Sequence, residues 1–505
     1  MQLKINNILN LLNNKYYLYL LLFIWTLTLR LPYVFIDKIS PDENIFIILG
    51  DLITQNELPH DNYWDIKPTL VWYLYSLPLF FFKSIASVRI YGILVIFLSA
   101  VFLFKIIKKK EGQDFVAFLT SFLFVFASTF VGTELPNHSI GIGVVVITQH
   151  FANFFLIMSI FFLIKRRSNL NIFYTSLFIC LALLTRYNYL LIVFGFLYYY
   201  FAYNKHFQFI IIFLLTLFTS FLITHITYFS EARFNDLTEY FFILSQYGSE
   251  NSLTQKFFSI KKFLRFAYEP LFYFTLTNTR FYLSLLLWLS GFLYLFLFTI
   301  KKKNKIDNFI MIIFLLLSAS ITSGYPAEHY LLSLVVLVSY FSAKIITHFN
   351  YRLFRFLPII ILIITTLNTI KSEYLWLGAR IYNKQDIMIG PGYNVYNFII
   401  KNNLPLENNL YLSQPIIYFL TNQKPIHKLI FPTQFNAHAT TISKFDNPAK
   451  LYESLFREKP NLIVFDENQW NIKSNIAIYE IVKNEISKNY SQLYQTQSTK
   501  LYITK

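Results

Sequence analysis

One cysteine, Cys180, stands among 505 residues. No internal disulfide can form, and cysteine usage does not reveal a redox compartment. Charge is scarce too. Asp, Glu, Lys and Arg make up 14% of the chain, where a soluble protein carries roughly a quarter, and that shortage excludes an ordinary soluble domain. Several chemistries are also missing their motifs. The sequence has no HExxH, no paired CxxC, no P-loop and no contiguous DxD. Neither a zinc hydrolase nor a Walker-type nucleotide site is therefore written in it. It also lacks internal repeats and low-complexity linkers.

What it has instead is apolar sequence in blocks. Hydrophobic residues reach 55%, and they gather into nearly uncharged runs long enough to cross a hydrocarbon core of about 30 Å as helix. Eleven spans are expected, near 16–36, 88–107, 114–131, 140–164, 170–186, 188–203, 207–228, 280–300, 308–323, 329–348 and 353–371. The first is too long for a signal peptide and is followed by no small-residue cleavage site. The fold class is an α-helical polytopic membrane protein of about 11 spans with interfacial helices.

The net charge of +17 fits Lys and Arg in cytoplasmic loops better than a nucleic-acid partner. Basic clusters occur at Lys105 and Lys108 to Lys110, at Lys165 to Arg167, at Lys301 to Lys305, and at Arg352 and Arg355. With these inside, the opposite loops 132–139 and 324–328 contain no Lys or Arg. The pattern holds only if residues 68–83, PTLVWYLYSLPLFFFK, do not cross. That segment is short, opens on Pro68 and contains Pro78, and it reads as a helix in the outer interface. QKFFSIKKFLRF at 255–266 reads as a second interfacial helix. Residues 37–87 then form an outer loop. The tail is polar and carries alternating segments at 409–413, 461–468 and 500–505, with helix-like stretches between them, as in a small C-terminal α/β domain. Two domains follow: a transmembrane domain over 1–371 and an extracytoplasmic α/β domain over 372–505.

Unusual polar residues cluster in the outer loops. Asp42 and Glu43 follow Pro41 where a helix opens, at Asp42 or one residue later. Backbone N–H groups and the helix dipole would keep a carboxylate there ionised. Asp42 serves equally well as a plain N-cap. Lys67 lies in DIKP, Glu134 in TELPNHS, and Arg186 and Tyr187 in LLTRYNYLL, between two spans. An Arg in such a place needs protein, water or a phosphate, or it snorkels to the interface. His329 sits beside Glu328 at the mouth of a span.

In order along the chain come Arg30, SPDE, DIKPTLVWYLYSLP, Arg89, an acidic loop, LLTRYNYLLIV and AEHYLLSLVVL. This order resembles the bacterial C-type glycosyltransferases related to protein O-mannosyltransferases, aminoarabinose transferases and the RgtA/B/C/D-like group. The likeness covers most of residues 16–350, and GYNVYNFIIKNNLPLENNLYLS resembles the outer domain these enzymes often carry. Asp42 and Glu43 match the family's Asp-Glu pair. Lys67 and Pro68 match its Lys-Pro stretch, with Thr69 in place of a second Pro. Glu134 departs from an Asp common after the third span.

The resemblance implies transfer of a sugar from a polyprenyl-phosphate donor to a lipid, glycan or protein acceptor. The active site would lie on the periplasmic or exterior face of the bacterial inner membrane. Asp42, Glu43 and Glu134 are then the catalytic candidates, with Asp42 as general base. Lys67, Arg186, Tyr187 and His329 are the substrate-binding candidates, the cations facing the leaving phosphate. Membrane lipids are partners and nucleic acid is not. No metal ligand set stands out and no cofactor is required, although a divalent cation stays open. The competing readings are a transporter or flippase of lipid-linked saccharide, which should carry mid-membrane ionisable groups and internal pseudo-symmetry, and a ligase or polymerase of surface glycans.

Overall fold

The computed structural model describes residues 14–35, 41–57, 68–130, 147–165, 168–204, 207–226, 290–291, 293–294, 305–323, 328–348, 352–388, 390–426, 455–466, 476–496 and 499–505. Among them the chain is mostly helical. It runs through α1 (Lys15–Arg30), α2 (Pro41–Thr54), α3 (Leu70–Phe81), α4 (Ile85–Glu111), α5 (Asp114–Phe130) and α6 (Thr148–Leu163). Then come α7 (Asn169–Thr185), α8 (Leu190–Tyr199), α9 (Gln208–Thr224), α10 (Lys305–Ser323), α11 (Val335–His348) and α12 (Arg352–Tyr382). The tail adds α13 (Pro391–Lys401), β1 (Asn409–Tyr411), α14 (Ile416–Thr421), β2 (Leu462–Asp466), α15 (Ile476–Asn489), β3 (Tyr490–Thr496) and β4 (Thr499–Thr504).

These elements form two compact units. The first draws on residues 1–34, 89–224 and 251–379, and the second on 35–88, 225–250 and 380–505.

The first unit is a helix bundle. Asn14 caps α1 by accepting from the Tyr16 N–H, and Ser168 caps α7 by accepting from the Asn171 N–H. Both satisfy donors that a helix start leaves over. α6 and α9 pack on α7, α1 and α11 pack on α5, and α8 packs on α10. Trp25 of α1 stacks on Phe122 of α5 at 4.5 Å between ring centres. Hydroxyls inside these apolar helices return their hydrogens to carbonyls four residues back: Thr26 to Leu22, Ser99 to Val95, Thr120 to Val116 and Thr216 to Ile212. That satisfies the hydroxyl where no water is at hand. The outward faces are greasy, as at Leu20, Leu21 and Ile24 of α1 and Leu214, Leu215 and Phe218 of α9. Among the described residues, three helical stretches, Lys15–Val34, Ile85–Glu111 and Leu331–His348, are long and apolar enough to cross a membrane. The chain is an integral membrane protein.

The second unit joins α2 and α3 to the tail. α2 crosses α3 at Gly50, where a Cβ would lie 2.9 Å from the Tyr75 and Ser76 backbone; only glycine permits that approach. α14 packs on α2 as well. The sheet order is β1-β2-β4-β3, with β1 parallel to β2 and the other pairs antiparallel. Leu410, Leu412, Ile463, Phe465, Val482 and Ile486 form its core.

Most expected elements recur at their expected places, and the differences have local causes. α3 has 12 residues, about 18 Å at 1.5 Å per residue, too short to cross. The run expected at 140–164 is helical from Thr148. α12 continues to Tyr382, well past the expected end at 371, because KSEYLWLGARIY keeps good helix formers after the apolar run ends. Strand β3 was not expected, since YSQLYQT is polar and lies mostly exposed at the sheet edge. The apolar run at 280–300 lies largely outside the described residues, and the interfacial segment at 255–266 wholly so.

Candidate active site

In the first unit, four helix ends meet around buried polar side chains. Arg30 closes α1, Ser128 lies near the end of α5, Thr148 and His150 open α6, and Arg186 follows α7. Arg30 donates from Nη2 to the Ser128 carbonyl at 2.9 Å and to its hydroxyl at 3.3 Å. His150 Nε2 lies 3.2 Å from the same carbonyl. Arg186 donates from Nη1 to the Thr148 hydroxyl at 2.7 Å. Arg30, Arg186, His150 and Thr148 are all buried. The local chain explains Arg186. Its N–H completes α7 by donating to Ala182, and its extended backbone then turns into the short 3-10 helix Tyr187–Tyr189. Next to it, Tyr189 donates to Asn153 Oδ1 at 2.9 Å, and Asn153 donates to the Leu332 carbonyl at 2.7 Å. Arg89 donates to the Tyr33 carbonyl at 2.7 Å, which ties the start of α4 to the turn after α1.

In the second unit the acidic pair occupies the first turn of α2. Pro41 holds the first helical position, where its missing N–H costs nothing. Asp42 therefore lies inside the first turn and is not its cap, which corrects the capping alternative. Asp42 is half-buried, and Glu43 is fully buried. Asn44 follows, buried, and its Oδ1 has no hydrogen-bond partner among the described residues. A buried orphan acceptor costs about 1–3 kcal/mol, so it marks a place where a donor belongs. Thr69, two residues after Lys67, has its hydroxyl 3.3 Å from Nε2 of buried His225.

Among the sequence-predicted residues, the structure therefore brings Asp42 and Glu43 together in one unit, and Arg186 and Tyr187 together in the other. Lys67 and Glu134 lie outside the described residues. His329 sits in the 3-10 turn Glu328–Leu334. Arg30, Ser128, Thr148, His150 and Asn44 were missed as site residues. The buried charge of Arg30 was the one available signal, because an arginine in a membrane span is rarely idle. Among the described residues no group of three His, Cys, Asp or Glu side chains is placed to hold a metal ion.

The fold is shared with solved structures of ArnT. No family model and no curated protein matches the chain. Among solved structures it is similar to ArnT from Cupriavidus metallidurans in the apo state, with a TM-score of 0.57, 11% identity and coverage of 96% of this chain and 97% of that one. ArnT bound to undecaprenyl phosphate is similar too, with a TM-score of 0.56, 10% identity and 96% of each chain covered. At such identities the shared property is the fold.

Proposed function

We propose that this chain is a membrane glycosyltransferase that moves a sugar from a polyprenyl-phosphate donor to a lipid, glycan or protein acceptor. The observation that carries this reading is the pair of buried arginines, Arg30 and Arg186, where four helix ends converge in a fold whose relative ArnT has been captured with undecaprenyl phosphate. Buried guanidiniums suit a phosphate, which they can grip through paired N–H groups.

In this reading Asp42 takes the proton from an acceptor hydroxyl as its oxygen attacks the anomeric carbon. The bond from that carbon to the donor phosphate breaks, and polyprenyl phosphate leaves with the electron pair. Base assistance of this kind contributes about 10²–10⁴ in rate. Lys67 and Arg186 stabilise the charge that grows on the leaving phosphate, and charge stabilisation is usually the largest catalytic contribution. Glu43 and Glu134 are supporting carboxylates, and Tyr187 and His329 contact substrate. The half-buried position of Asp42 favours it over fully buried Glu43 as the group that meets a substrate. The wider reading places eleven spans in a bacterial inner membrane, a transmembrane domain over 1–371 and an α/β domain over 372–505. The site and the α/β domain face the periplasm or exterior.

The test is transfer of radiolabelled sugar from a polyprenyl-phosphate donor in proteoliposomes. Asp42→Asn should abolish turnover while the protein stays monodisperse with an unchanged melting temperature. Asn keeps the size and a hydrogen-bonding oxygen but cannot accept the proton. Near-normal turnover by a well-folded Asp42→Asn variant would remove Asp42 as the base and move the search to Glu43 or Glu134.

A further inference from the structure

Within the second unit, the end of α2 and the tail enclose a pocket of about 270 Å³. That is just below the range of about 300–1,000 Å³ usual for small-molecule sites, a size for one ring. Its wall is rich in amides: Gln55 from the turn after α2, and Asn408, Asn409, Asn422 and Gln423 from the tail, beside Lys424. Leu406 and Ile426 supply apolar surface, and Tyr418 is buried in the wall.

The charges around this pocket are matched. Lys424 pairs with Glu57 at 2.5 Å, and Lys83 pairs with Asp51 at 2.8 Å. Asp51 is buried, and its pair with Lys83 stands behind two of the lining residues. That pair also orients two of the amides. Gln55 donates from Nε2 to Asp51 Oδ2 at 2.8 Å, which leaves its Oε1 as an acceptor. Asn422 accepts from Lys83 through Oδ1, which leaves its Nδ2 hydrogens as donors. Asn422 is held by its backbone too, since it ends α14 in the left-handed conformation at φ 57°, a conformation Asn tolerates. On the pocket floor, Tyr418 donates to the Asn409 carbonyl at 2.9 Å and accepts from the Tyr411 N–H at 3.1 Å. Burial pushes both the Tyr418 and Tyr411 phenols up, Tyr411 to about 12, so both stay neutral.

We infer that this pocket is a binding site for a neutral, hydroxyl-rich ligand, one sugar residue of a glycan. A sugar ring presents hydroxyls that both donate and accept, and the wall holds an acceptor at Gln55 and a donor at Asn422 on one ion-paired scaffold. The ring's apolar face suits Leu406 and Ile426. An anionic ligand fits less well, because each nearby lysine already has its carboxylate. The inference goes beyond the transferase reading and does not depend on it, since binding needs neither donor nor turnover.

The test is saturation-transfer NMR on the full-length protein in nanodiscs free of sugar detergents, with glucose, galactose and N-acetylglucosamine as probes and inorganic phosphate as the anionic control. At least one neutral sugar should receive saturation with millimolar affinity, and phosphate should not displace it. Asn422→Asp keeps the acceptor for Lys83 and removes the donors, so it should weaken binding about tenfold with an unchanged melting temperature. Gln423→Ala, at a side chain with no structural duty toward Asp51, should weaken it several-fold. Absence of a signal from every sugar would overturn the assignment. So would displacement by phosphate, or wild-type affinity in both variants.

Discussion

The two ends of α5 hold polar side chains in opposite ways. At its start, on the side where α4 ends and α10 begins, the contacts are ionic. Lys110 pairs with Glu111 at 2.8 Å and with Asp307, Lys344 pairs with Glu111 at 2.6 Å, and Lys108 pairs with Asp114. Tyr340 donates to Glu111 at 2.8 Å and to Asp307 at 3.0 Å, and its ring lies under the Lys110 ammonium. At the other end the contacts described for Arg30 and Arg186 are to a carbonyl and to hydroxyls, those of Ser128 and Thr148. A carboxylate neutralises a cation as it holds it. A hydroxyl or carbonyl orients a guanidinium. The first arrangement suits a staple between helix ends, and the second fixes where each guanidinium points.

Substitutions at the two ends should therefore fail differently. The largest effect is expected at the arginine end and in catalysis. Arg186→Gln keeps a donor for Thr148 but loses the charge, and should lower transfer about 10²–10³-fold, the usual cost of removing one group that stabilises developing charge. Its melting temperature should stay close to that of the native protein. A large loss of stability with normal turnover in the folded fraction would make Arg186 a structural residue. At the ionic end the damage should go to stability. The Lys110 side chain is 3% exposed, and Lys110→Met would remove the cation that joins Asp307 to Glu111, leaving Glu111 with Lys344. Breaking one partner of a buried pair costs about 3–5 kcal/mol, and the loss here should fall below that because Glu111, Asp307 and Lys344 stay 16%, 17% and 26% exposed. Thermal unfolding in detergent should show the drop, while turnover per folded molecule stays within about twofold of wild type. A selective loss of turnover there would mean that the two ends do not divide the work.

The sequence was informative about elements and much less so about partners. Apolar run length located α1, α4, α5, α7, α9, α10 and α11, because a membrane helix announces itself through composition alone. Alternation placed β1, β2 and β4. It could not place β3, whose side chains at the sheet edge need not be apolar. The candidates Asp42, Glu43 and Arg186 were legible as charge sitting oddly in an apolar setting, and the structure places Glu43 and Arg186 among the buried residues. Side-chain pairs were not legible. Arg30 meets Ser128 across 98 residues, and Lys83 meets Asn422 across 339. No local pattern encodes such a distance, and Ser128 and Asn422 look ordinary in their own segments. Burial was hidden for a related reason. Glu43 and Asp42 are neighbours in one turn, yet one is fully buried and the other half-buried, and tertiary packing decides which.

The smallest expected effect separates burial from charge as the reason the ionic end is stable. Lys108 and Asp114 are ion-paired like Lys110 and its partners, but their side chains are 42% and 26% exposed. Water screens such a pair and competes for both ends, so it contributes roughly 0–1 kcal/mol. Lys108 also sits in the last turn of α4 with Lys109 and Lys110, so the favourable interaction with the helix dipole survives its loss. Lys108→Met should therefore lower the melting temperature slightly in low salt. The difference should vanish near 1 M salt, where the screening length falls to about 3 Å. Lys110→Met should keep most of its deficit in high salt, because the Lys110 ammonium at the centre is 3% exposed and screened little. If the two variants were equally destabilised and equally sensitive to salt, burial would not be what distinguishes them. The ionic end would then be held by summed charge at the membrane surface, and its contrast with the arginine end would be one of exposure and not of chemistry.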